Sequence, residues 1–118
     1  MAVYLETDKP AQLLSEFNRR IKQTEQKGKI TTWEISSDGK FYTHKSTEWK
    51  AQAWFAAAAD AGRLRFNIYP SKGKGVSITA YGYYHGHLIE TFLNHFDGMF
   101  TLGSATAYPT SQDSVKST

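Results

Sequence analysis

The stretch Trp49-Lys50-Ala51-Gln52-Ala53-Trp54-Phe55-Ala56-Ala57-Ala58-Ala59-Asp60-Ala61-Gly62-Arg63-Leu64-Arg65-Phe66-Asn67-Ile68-Tyr69 admits two readings, and the fold turns on which one holds. Its alanines favour a helix of about three turns by intrinsic propensity. Against that, Asp60-Ala61-Gly62 has the composition of a three-residue hairpin loop with glycine at the left-handed position. Residues 63–69 then alternate, with Leu64, Phe66 and Ile68 on one side and Arg63, Arg65 and Asn67 on the other. Alternation favours a hairpin, with a helix over 49–59 as the alternative. The small alanines then mark where a helix lies close on the sheet.

Upstream, residues 30–36 and 40–45 flank Asp38-Gly39, a strong two-residue turn signal. That turn sets Ile35 opposite Tyr42 and Trp33 opposite His44, all on one face of the ribbon. An N-terminal helix precedes the ribbon. Asp8 is its expected N-cap and Pro10 falls in its first turn, where a missing N–H costs nothing. Leu13, Leu14, Phe17 and Ile21 form the apolar stripe, and Gly28 is expected to end it.

Downstream, residues 70–75 read as a turn and 76–84 as a strand. Val76, Ile78, Ala80 and Gly82 take one side of it; Ser77, Thr79, Tyr81 and Tyr83 take the other. A second helix is expected from His85 or Gly86 to Phe96, with Leu88, Phe92 and Phe96 inward, and a last strand over 99–108. The expected fold is α+β: an antiparallel sheet of about five to six strands with an N-terminal and a C-terminal helix packed on one face. Residues 1–109 read as one domain and 110–118 as a flexible polar tail.

Composition narrows function by exclusion. The 118 residues suffice for one core, and 40% apolar with 21% charged residues is globular. The net charge of +3 permits an acidic partner without demanding one. With no cysteine, a disulfide framework, a thiolate zinc site and a cysteine nucleophile are excluded. The first residues lack the basic start and apolar core of a signal peptide, so a cytoplasmic chain with no membrane association is expected.

The densest chemistry lies in Tyr81-Gly82-Tyr83-Tyr84-His85-Gly86-His87. Tyr81, Tyr83, Tyr84, His85 and His87 are therefore candidate binding residues. His85, His87 and His95 with Glu90 are the imidazoles and carboxylate that a small hydrolase or metal enzyme would use. On a helix, however, residues two apart point about 200° from each other, and no zinc-peptidase spacing occurs, so neither metal nor cofactor is expected. His87, Glu90 and Asn94 share a polar helix face that His44 approaches from the sheet, the raw material of acid–base chemistry. The loop Ser71-Lys72-Gly73-Lys74-Gly75 lacks Walker spacing and leads into the expected strand.

Arg63, Arg65, Lys72 and Lys74 beside Tyr81 and Tyr83 would make a stacking surface for single-stranded nucleic acid. The aromatic load of Trp33, Trp49, Trp54, Tyr42 and Phe55 exceeds what one face of a small sheet buries, and such surplus suits interfaces. The sequence thus reads as a non-catalytic binding or assembly module, expected to be a homodimer, with a protein partner possible. Nucleic-acid binding is the first alternative and a histidine-based enzyme the second.

Overall fold

The computed structural model describes residues 2–71 and 75–107. The deciding stretch is a hairpin: β4 (Ala53–Asp60) turns back into β5 (Arg63–Pro70). Asp60 pairs with Arg63, so the loop is Ala61-Gly62, one residue shorter than expected, and Gly62 supplies the left-handed φ of 79°. Period-two burial overrode the alanine propensity: Leu64, Phe66 and Ile68 are fully buried. The other ribbon, β2 (Trp33–Ile35) and β3 (Tyr42–His44), has the expected register, Trp33 opposite His44 and Ile35 opposite Tyr42.

One strand was not anticipated. β1 (Ala2–Glu6) inserts between β5 and β6 (Leu102–Ala105), completing a six-stranded antiparallel sheet of order β2-β3-β4-β5-β1-β6. Val3 and Leu5 of β1 face inward and are fully buried. Five residues with two inward side chains carry too little periodicity to stand out in sequence. β6 is shorter than the expected 99–108 strand, and Tyr108 and the 110–118 tail lie outside the described residues.

Both helices lie on one face of the sheet. α1 (Pro10–Lys22) and α2 (Ile78–Phe96) meet at the centre, where Phe17 and Phe92 sit 4.9 Å apart over Phe66. α1 starts at Pro10 as its ring favours, but its N-cap is Lys9 rather than Asp8, without a side-chain cap. It ends at Lys22, not at Gly28, because Gln23 turns extended and its amide bonds the carbonyls of Glu25 and Lys27.

The largest correction concerns residues 76–84. Ser77 caps α2, its side chain accepting from the Ala80 N–H at 3.1 Å, so residues 78–84 are helical rather than a strand. Val, Ile, Thr and Tyr favoured the strand reading by propensity. The burial stripe Ala80, Tyr84, Leu88, Phe92 (with Phe96 beyond) has a period near four and runs unbroken into the expected helix. Tertiary packing of that stripe decides the state.

α2 carries Gly82 and Gly86 on its exposed side, and a Cβ at either would meet nothing within 4 Å. Nothing described in the chain requires their smallness. Gly82→Ala and Gly86→Ala should therefore each raise stability by about 0.5–1 kcal/mol in denaturant titrations. A loss of stability in either would mean that another surface packs against them.

Candidate functional site

Among the described residues, no helix or strand packs on the opposite face of the sheet. Its side chains follow from register. Tyr4 pairs with Arg65, Glu6 with Arg63, and Trp54 with Tyr69, so these rings and charges share that face with Ala56 and Ala58. At one end Phe41 meets Tyr69 edge-on, with ring centroids 6.1 Å apart. Ser36, Phe41, Trp54, Tyr69, Pro70 and Ser71 line a cleft of about 300 Å³ there.

The indole of Trp54 and the hydroxyls of Ser36 and Ser71 in this cleft are already paired. The Trp54 indole donates to Ser71 Oγ at 3.0 Å, and Ser71 Oγ donates to the Ala51 carbonyl. Ser36 Oγ accepts from the Phe41 N–H and donates to Asp38. What remains is an aromatic seat for an apolar group.

The charges on this face neutralise one another. Arg65 donates to Asp60 at 2.7 Å and also to Asn67, which is itself buried, while Arg63 lies 4.0 Å over the Tyr4 ring and near Asp60. The hydrogen bond from Arg65, then its charge and that of Arg63, holds the Asp60 carboxyl below the usual carboxylate range. Glu6 and Asp60 thus stand against Arg63 and Arg65.

The expected nucleic-acid surface is not assembled. Arg63 and Arg65 lie on this sheet face, whereas Tyr81 and Tyr83 belong to α2, packed on the other face. Lys72 and Lys74 lie outside the described residues.

On α2 the tyrosine and histidine cluster divides by helical phase. Tyr81, Tyr84 and His85 are buried. His85 stacks on Tyr81 at 4.7 Å and packs edge-on against Phe55. The Tyr84 hydroxyl contacts Thr43 Oγ1 at 3.1 Å and donates to the Trp49 carbonyl. Tyr83 and His87 sit half-exposed. They form a stack of three rings with Trp49: His87 on Tyr83 at 4.0 Å, and Tyr83 on Trp49 at 4.2 Å. His44 closes on this stack from β3, its Nε2 lying 3.4 Å from His87 Nδ1.

No protein-family model matches the chain, and no curated protein or solved structure matches it.

The three imidazoles of the expected metal set do not converge: His85 meets Tyr81 and Phe55, His87 meets His44, and His95 meets Arg20 at 3.3 Å. Among the described residues no group of three or more His, Cys, Asp or Glu is placed to hold a metal ion. Glu90 and Asn94 are exposed. The approach of His44 to His87 is the one part of the acid–base constellation that the fold brings together. Sequence reasoning missed the Phe41, Trp54 and Tyr69 seat, whose rings come from three different strands or their flanks and meet only through sheet register.

Proposed function

We propose that the chain is a non-catalytic binding or assembly module that works through the helix-free face of its sheet, first with a second copy of itself. The observation that carries this reading is a face combining an aromatic seat, flat alanine positions and charges that cancel locally. Such a face neither repels its own copy nor offers the unpaired positive field that nucleic acid needs. Its size also suits: the molecule measures 37 × 30 Å across its two longest axes, and a standard interface covers about 800 Å² per partner. Leu102, 59% exposed on the edge strand β6, extends the same face through its pairing with Glu6. No helix among the described residues is long and apolar enough to cross a membrane.

Sedimentation or native mass measurement across a concentration series checks this. The expected result is a species of twice the 13.3 kDa chain mass that dissociates on dilution. Tyr69→Ala should weaken association by roughly 1,000-fold, since a buried interfacial aromatic is worth about 2 kcal/mol and a two-fold interface holds it twice. A 13.3 kDa species at every concentration, or a dimer indifferent to both Tyr69→Ala and Trp54→Ala, overturns the reading.

A further inference from the structure

The pair His44 and His87 has a defined proton pattern. The Ser46 backbone N–H donates to His44 Nδ1 at 3.2 Å, so that nitrogen is an acceptor. The neutral His44 therefore carries its proton on Nε2 and donates it to His87 Nδ1, 3.4 Å away. His87 is left with its own proton on Nε2. The contact is satisfied only while both rings are neutral.

A proton added at His87 Nδ1 sets two N–H groups against each other at the 3.4 Å contact. Added at His44 Nδ1, it faces the Ser46 N–H at 3.2 Å. Both routes turn an attraction into a donor–donor clash. Two further features give the protonated state somewhere to go. Ser46 Oγ is buried and has no hydrogen-bond partner among the described residues, so it can accept from a His44 Nδ1–H. His87 lies flat on Tyr83, a face that attracts a cation.

We propose that His44 and His87 form a proton-operated latch between β3 and α2, closed while both imidazoles are neutral and opened by uptake of one proton from solvent. In the open state His44 turns to Ser46 Oγ and His87 stays on Tyr83. The latch is placed where the sheet is weakest, because β3 and β4 share a single register pair, Tyr42 with Phe55. Beyond it, residues 45–52 meet α2 through the Tyr84–Trp49 hydrogen bond and the Trp49–Tyr83 stack, are tied at their ends to Thr32, Thr43 and Ser71, and hold Ala51 at a left-handed φ of 58°. Opening the latch loosens this segment.

The groups facing the pair from each neighbouring element are known. α2 presents the phenols of Tyr83 and Tyr84, β2 presents the Trp33 ring, and the following loop presents Ser46. No carboxylate or basic side chain is among the contacts of either imidazole in the described residues. Burial, and then the charge of His87, lowers the His44 pKa from its ordinary 6.5. The sign follows: the unfolded chain takes up its proton first, so stability is level above about pH 6.5 and falls as acid is added. His95, lowered by burial and then by Arg20, acts in the same direction from a separate place.

Tryptophan emission separates the two. Trp33 lies 5.3 Å from His44 and Trp49 adjoins the stack, while no tryptophan is among the ring contacts of His95. In the full chain, emission should change with a midpoint below pH 6.5 while far-ultraviolet dichroism stays constant. His95→Gln should leave that transition in place. His44→Gln should remove it, and His87→Gln should move its midpoint, since the glutamine amide accepts from His44 in either charge state and takes away the charge of the His87 ring. If His44→Gln fails to fold, His87→Gln carries the test alone. Emission flat between about pH 8 and pH 5, or a transition unchanged in His87→Gln, overturns the latch. Trp54 lies in the proposed self-association face, so the titration is read in Trp54→Phe, where only Trp33 and Trp49 report and the result stands apart from the assembly reading.

Discussion

Phe66→Ala should cost about 3–5 kcal/mol of folding stability, the largest loss from any single truncation in the sheet. Phe66 is fully buried and meets Phe17, Tyr42, Phe55 and Phe92 at centroid distances between 5.7 and 6.0 Å. Both helices thus rest on one side chain. A cavity there cannot close by moving one helix, because the other would have to follow. Since a domain of this kind holds only about 5–15 kcal/mol in total, the variant should be near its folding limit. Urea titration with an unchanged slope would show a pure stability loss. A midpoint close to wild type would mean that the core is far looser than its contacts indicate.

Trp33→Ala comes next, at about 3–5 kcal/mol, and for a different reason. Trp33 is 1% exposed and its ring meets His44, Phe55 and Tyr84. Its indole N–H also donates to Thr91 Oγ1 at 2.9 Å, and that hydroxyl in turn donates to the His87 carbonyl. Polar and apolar contributions can be separated. Thr91→Val keeps the shape but strands a buried N–H, which should cost about 1–3 kcal/mol. If Thr91→Val proves neutral, packing alone accounts for Trp33. Trp33 and Phe66 share Phe55 as a neighbour, so the double variant should depart from additivity.

The parts of the fold legible in sequence are those with local instructions. Asp38-Gly39 set the β2–β3 register, and the alternation of Leu64, Phe66 and Ile68 outweighed four consecutive alanines. The parts that failed needed distant information. Residues 78–84 have strand-like composition, and only the packing of Ala80, Tyr84 and Leu88 on the sheet makes them helical. That one reassignment moved Tyr81 and Tyr83 across the molecule from Arg63 and Arg65, separating the groups of the expected nucleic-acid surface. The His44–His87 contact was half legible: both residues were singled out, but the distance between them depends on how α2 crosses the ribbon. The aromatic seat was illegible because register across three strands builds it, and register between non-adjacent strands has no local signature.

The placement of β1 has a consequence for how the chain folds. β1 is the first element in sequence, yet it occupies an interior position in the sheet and waits for both neighbours. Its partner β5 begins at Arg63, and its contacts beyond β6 join Ala2 to Thr106, 104 positions apart. Closing loops of that length is slow relative to forming α1 or the β4–β5 hairpin. During synthesis β1 has no partner until β5 is made, and its other edge stays open until β6 arrives. The period between translation of β1 and arrival of β6 is when this chain is most open to pairing with the wrong strand.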